Sequence, residues 1–320
     1  MDGGDATIGR VPLSPAKFRD PFLTAGGETR ASVPFVALST LWFNTGTLCN
    51  IACTNCYIES SPHNDRLAWL TAGEVEAFLD EAGALARDTV EIGFTGGEPF
   101  MNPDIVAMLE SALSRGYRTL VLTNAMRPMR RHERALRDLL ARYGERLVLR
   151  VSLDHYTPAG HEAERGARSW QPALDGLGWL AAGGFAVHVA GRTFTGETEA
   201  ALRTGYAALF AAHGIAIDAA DPARLVLFPE MDAGADVPEI TTACWSILGV
   251  APEAQMCASS RMVVKRKGDA RPVVMPCTLL PYDEAFAMGE HMAEAIEPVA
   301  LNHPHCARFC VLGGGSCSRA

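Results

Sequence analysis

Short apolar runs alternate with amphipathic helical patterns along most of the chain, and this alternation constrains the fold more than any other feature. Six runs are predicted to be strands: residues 35–43, 90–94, 119–122, 147–152, 185–190 and 225–228. Several are rich in Val, Ile or Leu, as strands buried on both faces are. Repeated β/α units predict an α/β fold with a parallel sheet and right-handed crossovers, either an open sheet or a partial barrel. In both, functional residues are expected at the carboxyl ends of the strands.

The segments between the predicted strands carry helix start and stop signals. Thr71 and Glu74 have the spacing of a capping box ahead of an apolar helical face. Asn102 and Pro103 predict a cap and a first helical residue, and Gly116 predicts the end of that helix. Further helices are predicted at 129–143, 171–182 and 197–213.

The sequence pattern changes after about residue 235. The chain is divided into an N-terminal arm at 1–32, a β/α body at 33–235 and a small C-terminal domain at 236–320. The last region is predicted to contain a hairpin whose strands are 262–264 and 272–275, followed by a short helix near 283–296. The Gly- and Cys-rich end shows no periodicity.

Composition and charge limit the classes of partner. The net charge of −9 provides no basic surface of the kind that a nucleic-acid backbone requires. No apolar run reaches the roughly 18 residues that span a bilayer, and the N-terminus lacks the apolar segment of a secretory signal. We therefore expect a cytoplasmic protein with neither a nucleic-acid nor a membrane partner.

The nine cysteines fall into two groups. In a reducing cytosol, clustered cysteines indicate a metal site or catalysis more often than disulfides. Cys49, Cys53 and Cys56 lie within eight residues, and no further cysteine occurs before Cys244. The six that follow are Cys244, Cys257, Cys277, Cys306, Cys310 and Cys317. This distribution predicts two metal-binding regions separated by a body without cysteine.

The first group has the spacing Cys49-x3-Cys53-x2-Cys56 and directly follows the first predicted strand. Three thiolates on one loop can bind three irons of a [4Fe–4S] cubane and leave the fourth iron open. A structural zinc site is the alternative. It usually has four ligands, often as Cys-x2-Cys pairs, and no His stands close to this loop. The spacing therefore favours iron and sulfide over zinc.

A second motif, Thr95-Gly96-Gly97-Glu98-Pro99, follows the second predicted strand. Together with the three cysteines, it resembles the radical S-adenosylmethionine (SAM) superfamily over about residues 33–235. The resemblance implies a partial (β/α)6 barrel, a [4Fe–4S] cluster whose open iron binds SAM, and reductive cleavage of SAM to a carbon radical. It also implies that Gly96, Gly97 and Glu98 contact the SAM amino group, and that a reducing partner such as flavodoxin or ferredoxin supplies the electron.

Further SAM-binding candidates follow from the same resemblance. Three polar residues at the ends of predicted strands stand where relatives line the SAM site: Asn124, Ser152 and Asp154. Ser152 resembles the residue that touches the SAM ribose or carboxylate, and Arg165 the arginine that pairs with the carboxylate. Relatives often carry an aromatic residue just before the third cysteine, where it contacts adenine. Here that residue is Asn55, and Tyr57, which follows the cysteine, is the candidate instead.

The later cysteines resemble those of the small accessory domains called twitch and SPASM, which hold auxiliary [4Fe–4S] clusters. Five are candidate ligands, of which four fill a cluster: Cys257, Cys277, Cys306, Cys310 and Cys317. Their spacings depart from the usual ones, and a zinc site made from the same five is the rival interpretation. Cys244, which precedes Trp245, is interpreted as a core residue.

Three functional hypotheses remain open. The first is a radical SAM enzyme that modifies a small molecule or a protein or peptide residue. The second is an enzyme that transfers the aminocarboxypropyl group of SAM. The third is a non-catalytic iron–sulfur electron-transfer protein, which the SAM-binding motifs disfavour. Peptide-modifying relatives often carry a peptide-binding domain before the barrel, whereas only 48 residues precede Cys49 here, which weakens the peptide hypothesis.

Overall fold

A parallel sheet forms the centre of the computed structural model, which describes residues 11–85, 91–193, 195–229 and 232–314. Its strands, with two short outlying ones, are β1 (Ser32–Val33), β2 (Thr40–Asn44), β3 (Glu91–Thr95), β4 (Arg118–Thr123), β5 (Leu147–Ser152), β6 (Ala186–Arg192), β7 (Leu225–Phe228), β8 (Ser260–Val264), β9 (Val273–Met275) and β10 (Val299–Ala300). The main sheet has the order β7-β6-β5-β4-β3-β2-β8-β9, and β1 pairs with β10 separately.

The predicted α/β class is confirmed, and each of the six predicted strands corresponds to one of β2 to β7. These strands pair in parallel from β2 to β7. The first strand is shorter than predicted, because it begins at Thr40 rather than at Phe35. The side chain of Val36 in the preceding segment is 61% exposed, so that segment is not a buried strand. Val90 lies outside the described residues.

The helices lie between the strands as the alternation predicted. They are α1 (Ala72–Leu85), α2 (Ile105–Ser114), α3 (Arg127–Arg130), α4 (Glu133–Tyr143), α5 (Pro158–Arg165), α6 (Trp170–Ala182), α7 (Glu199–Ala212) and α8 (Cys244–Leu248). The predicted capping box is present: Glu74 Oε2 accepts from Thr71 N at 2.8 Å, and Thr71 Oγ1 accepts from Glu74 N at 3.3 Å. The predicted helix at 129–143 is divided into α3 and α4. None of the helices in the described residues is long and apolar enough to cross a membrane.

Asn102 makes the predicted capping contact, because its Oδ1 accepts from Asp104 N at 2.8 Å, but the helix starts later than predicted. Helix α2 begins at Ile105 after Asp104, and Asn102 ends a 3₁₀ turn at Pro99–Met101. The Asn102 amide is buried and donates to the carbonyls of Thr45, at 3.0 Å, and Leu70, at 2.9 Å. It therefore ties the loop after β3 to both ends of the connection between β2 and α1.

Alternate residues of the central strands serve two apolar cores, as the period of a strand requires. Leu41 and Phe43 of β2 belong to the core shared with the helices. Trp42, between them, faces a second core that is formed largely by residues after 236. One face of the sheet is therefore covered by helices and the other by the C-terminal part of the chain.

The predicted hairpin is confirmed, since β8 and β9 pair antiparallel with Met262 opposite Met275. It is also continuous with the main sheet, because β8 pairs in parallel with β2, where Met262 lies opposite Trp42. The division of the chain into three domains stays a prediction.

The helix predicted near 283–296 is wrong. That segment contains only a 3₁₀ turn at Glu284–Phe286. Met288 N donates to Val274 O, and Val274 N donates to Gly289 O, both at 2.9 Å. The backbone here is thus used to pair with β9 rather than to continue a helix. Farther on, Cys306–Val311 forms a π-helix, which the sequence pattern did not reveal.

Candidate functional site

The three N-terminal cysteines line a single cavity at the carboxyl ends of the parallel strands. They lie on the loop after β2, where Cys49 is buried and Cys53 and Cys56 are half-buried. Burial raises the pKa of the Cys49 thiol to about 12, and it also raises the pKa of Cys53. Ionised thiolates in such surroundings need a compensating cation, which bound iron provides.

The two glycines after β3 bring that loop against the cysteine loop. Gly97 N donates to Gly46 O at 2.8 Å, and Glu98 N donates to Leu48 O at 3.1 Å. A Cβ on Gly97 would lie 2.2 Å from Leu48 O, and one on Gly96, whose φ is +143°, would lie 2.5 Å from Gly46 O. Both positions therefore require glycine, and both line the cavity.

Glu98 differs from the other predicted SAM contacts, because its side chain does not line the cavity. Its buried carboxylate accepts from Thr123 Oγ1 and from Asn124 N, each at 2.8 Å, and from Phe100 N at 3.2 Å. Burial raises its pKa to about 7, although these hydrogen bonds act in the opposite direction. The carboxylate thus joins the loop after β3 to the end of β4, and its predicted contact with the SAM ammonium stays a prediction.

Asn124 and Ser152 both line the cavity at the ends of β4 and β5. The Asn124 amide donates to Asn50 Oδ1 at 2.9 Å, and its oxygen accepts from Met126 N at 3.0 Å. Asn50 is the neighbour of Cys49. Asn124 is therefore placed to hold the cysteine loop, a role that the sequence did not indicate.

Asp154 and Arg165 form a buried ion pair on the cavity wall. Arg165 Nε lies 2.9 Å from Asp154 Oδ2, and Arg165 Nη2 lies 3.2 Å from Oδ1. Arg192, at the end of β6, lies 3.7 Å from the same carboxylate and also lines the cavity. Burial acts to raise the pKa of Asp154, but the two arginines outweigh it, and the pKa is lowered. Arg165 was predicted to pair with the SAM carboxylate, whereas here it pairs with Asp154.

An apolar wall completes the cavity, and its members come from distant parts of the sequence. They are Tyr57, Ile58, Leu122, Ala190, Phe228, Leu279 and Phe309. Of these, the sequence singled out only Tyr57. Phe309 belongs to the C-terminal π-helix and stacks on Phe228 of β7, with ring centroids 5.9 Å apart. The C-terminal part of the chain therefore contributes directly to this cavity.

The described C-terminal cysteines belong to one apolar cluster on the sheet face that carries Trp42. Cys257, Cys277 and Cys306 are buried, and Cys310 is half-buried. Burial, with a smaller contribution from Cys257, raises the pKa of Cys306 to about 12. Cys317 lies outside the described residues. Cys244 is half-buried at the edge of the same cluster rather than in its centre.

The N-terminal cysteines fit the [4Fe–4S] cluster that the resemblance implies, because they surround one cavity. Among the described residues, no three His, Cys, Asp or Glu side chains converge as the ligands of one metal ion would. The thiolates of a cubane each bind a different iron, so they need only surround a common space. The first group surrounds a cavity. At the second, a buried Nη2 of Arg261 has no hydrogen-bond partner, which fits a nearby anion.

The family model for the radical SAM superfamily matches residues 43–204. The chain therefore belongs to the radical SAM superfamily of enzymes, and the family implies a [4Fe–4S] cluster and SAM. The matched segment contains Cys49, Cys53 and Cys56 and the cavity residues of β3 to β6. It ends before the second cysteine group.

Two curated relatives match parts of the chain. The antilisterial bacteriocin subtilosin biosynthesis protein AlbA of Bacillus subtilis is 30% identical over 149 residues, which are 46% of this chain and 30% of that protein. An S-adenosylmethionine-dependent nucleotide dehydratase of Selenomonas ruminantium is 32% identical over 76 residues, which are 24% of this chain and 26% of that protein. Each match thus spans less than a third of the relative's own length.

The fold is shared with solved radical SAM structures. The structure of anSMEcpe with bound SAM and Cp18Cys peptide superposes with a TM-score of 0.56 at 13% sequence identity, and the match covers 81% of this chain and 80% of that chain. At this identity the likeness shows the fold alone. The predicted partial barrel is confirmed.

Proposed function

We propose that this chain is a radical SAM enzyme that holds its [4Fe–4S] cluster on Cys49, Cys53 and Cys56. The observation that carries the proposal is that all three cysteines line one cavity together with residues at the ends of the next five strands, β3 to β7. When bound there, the cluster and SAM supply reductive cleavage of a C–S bond and a carbon radical.

The side chains around the cavity support distinct roles in binding SAM. Gly96 and Gly97 line the cavity with backbone atoms, since neither carries a side chain. Ser152 offers a hydroxyl at the end of β5. Arg165 and Arg192 place two positive charges around one carboxylate, Asp154, so a net positive charge remains for the SAM carboxylate. Tyr57 offers a ring for adenine.

A peptide or protein residue is the substrate class that we favour. The relative with the longest match takes part in the biosynthesis of a bacteriocin, subtilosin, and anSMEcpe binds a peptide beside SAM. A nucleotide is the second candidate, because another curated relative is a nucleotide dehydratase. The net charge of −9 disfavours a polyphosphate ligand and so favours the peptide.

The C-terminal cysteines are proposed to hold an auxiliary [4Fe–4S] cluster in a twitch- or SPASM-like region. Three described cysteines are buried in one cluster and Cys310 adjoins them, and four thiolates suffice. Zinc bound by the same residues is the alternative. A reducing partner such as flavodoxin or ferredoxin would supply the electron for SAM cleavage.

The test is anaerobic reconstitution with iron and sulfide, followed by reduction in the presence of SAM. We expect 5′-deoxyadenosine as the product. 5′-Methylthioadenosine would instead indicate aminocarboxypropyl transfer. Cys244→Ala is the matched control, because it removes a cysteine outside both proposed clusters, and it should cleave SAM at the wild-type rate. A sample with full iron content that never cleaves SAM would overturn the proposal in favour of an electron-transfer protein.

The substrate class is tested with the same sample, because a bound substrate that consumes the radical raises the yield of 5′-deoxyadenosine. We expect a mixture of synthetic peptides to raise it and a mixture of ribonucleotides to leave it unchanged. The reverse result would favour the nucleotide.

A further inference from the structure

Arg261 is a buried cation within the C-terminal cysteine region. It lies on β8, and its side chain is fully buried. Nε donates to Ala295 O at 2.6 Å, and Nη1 donates to Cys257 O at 2.6 Å and to Ser260 O at 2.7 Å. These carbonyls satisfy part of the guanidinium, and they place it against the backbone of a proposed cluster ligand.

The guanidinium carries a charge that nothing in the described residues balances. Its Nη2 is buried without a hydrogen-bond partner, and one face packs on the Phe35 ring at 4.5 Å. No ion pair in the described part of the chain involves Arg261. The contrast is Arg30, equally buried, whose Nη2 lies 2.5 Å from a carboxylate oxygen of Glu239. A buried charge without a counter-charge is strongly destabilising, so the site calls for an anion.

The ionisable groups that act on Arg261 are two cysteines, Cys257 and Cys277. Neutral thiols would provide no counter-charge. Thiolates that bind an iron–sulfur group remain ionised, and the group as a whole is anionic.

We propose that Arg261 is the counter-charge of the auxiliary iron–sulfur group held by Cys257 and Cys277, and that it raises the reduction potential of that group. The inference rests on the auxiliary cluster of the proposed function. Reduction adds one electron to an already anionic group, and a nearby buried positive charge favours the more negative state. Arg261 is thus a positioning residue that acts on the electron affinity of the cluster and does not bind iron.

The test measures the midpoint potential of the auxiliary cluster by electron paramagnetic resonance. It uses the full chain with Cys49, Cys53 and Cys56 replaced by Ala, so that only this cluster contributes. Arg261→Met should make reduction at least tenfold less favourable, a lowering of about 59 mV for a one-electron couple. Arg261→Lys keeps the charge and should retain most of the wild-type potential. Arg150→Met is the matched control, since Arg150 is buried on β5 beside Glu91, and it should cause no shift.

Three results would overturn the inference. One is an unchanged potential in Arg261→Met at full iron content. Another is an equal shift in the Met and Lys variants, which would mean that packing rather than charge is responsible. If Arg261→Met does not fold, Arg261→Gln takes its place with the same expected shift. The third is zinc in place of iron at this site in a protein that still cleaves SAM, which would end the inference and leave the N-terminal site intact.

Discussion

The two cysteine regions differ in the polarity of their surroundings. The N-terminal cysteines lie on a loop that lines a cavity with polar and charged groups, among them Asn124 and Asp154. The described C-terminal cysteines lie in an apolar cluster with Trp42 and Phe309, and Arg261 is a buried cation that acts on Cys257 and Cys277. The cysteines of the first region are accessible to a ligand in the cavity, whereas most of those in the second are buried among apolar side chains.

This difference in surroundings separates two uses of an iron–sulfur cluster that is bound by cysteine. A cluster that activates SAM needs an open iron and hydrogen-bond donors for SAM, so the cysteine loop must be fixed by contacts that leave the cavity open. Gly97 and Asn124 make such contacts, through hydrogen bonds to Gly46 and Asn50. A cluster that only transfers or stores an electron needs neither. Burial and local charge set its reduction potential instead. Under the proposed function, the N-terminal cysteines serve SAM chemistry and the C-terminal ones serve electron transfer.

Gly97→Ala should break the first region while leaving the second intact. Its Cβ would lie 2.2 Å from Leu48 O, so the two loops cannot keep their contact. We expect iron content to fall from about eight to about four per chain, with loss of SAM cleavage. Gly178→Ala in α6 is the control, because nothing lies within 4 Å of its Cβ. It should stabilise the protein by up to about 1 kcal/mol. Full iron content in Gly97→Ala would contradict this account of the loop.

Asp154→Asn should show that the cavity wall depends on a buried ion pair. The substitution leaves Arg165 and Arg192 without their carboxylate, which costs about 3 kcal/mol in the free energy of unfolding. Chemical denaturation measures this. Asp236→Asn removes a partly exposed pair with Lys17 and should cost less than about 1 kcal/mol. Equal losses in the two variants would refute the distinction.

Phe309→Ala tests the contact between the two regions. Phe309 is fully buried, stacks on Phe228 and lines the cavity from the C-terminal π-helix. Its truncation should cost about 3 kcal/mol and weaken SAM binding, measured by equilibrium dialysis. Leu312→Ala, at a position 47% exposed, should change stability by less than about 0.5 kcal/mol. Unchanged SAM binding in Phe309→Ala would mean that the regions act independently.

Glu239→Gln should destabilise the contact between the N-terminal arm and the C-terminal region, and the loss of stability should depend on pH. Burial acts to raise the pKa of Glu239, but hydrogen bonds from Ala25 N, Arg30 and Phe18 N outweigh it and lower the pKa. A carboxyl with a lowered pKa stabilises the fold above its unfolded pKa of about 4.3, and this stability is lost as pH falls through the folded value. The variant should be about 3 kcal/mol less stable than wild type at pH 7, because it leaves the buried Arg30 without its carboxylate, and the difference should shrink below about pH 4. A difference that is constant with pH would contradict this.

The sequence predicted the features that local patterns encode. Strands β3 to β7 follow from short apolar runs, whereas Ser152 and Arg165 were predicted as SAM contacts through the resemblance to radical SAM enzymes, and both line the cavity. The cysteine and glycine motifs predicted that the loops after β2 and β3 form the functional site. The capping box at Thr71 and Glu74 could be predicted from the spacing of the two residues alone.

The sequence could not predict contacts between distant segments. Pairing of β8 with β2 and insertion of Phe309 into the cavity join residues more than 200 positions apart, and no local pattern records them. Asn102 was predicted only as a helix cap, but its amide also bonds to both ends of the connection between β2 and α1. The amphipathic pattern near 283–296 was overridden by backbone pairing with β9.

Replacement of Cys49, Cys53 and Cys56 by Ala tests the central comparison most directly. Iron, zinc and SAM-derived products are measured in the reconstituted triple variant and in Cys244→Ala. The account predicts that the triple variant retains about four irons per chain and the absorption of an iron–sulfur cluster, and cleaves no SAM, whereas Cys244→Ala behaves like wild type. SAM cleavage in the triple variant would contradict the assignment of chemistry to the N-terminal cysteines. A colourless variant with about one zinc per chain would contradict the assignment of electron transfer to the C-terminal ones.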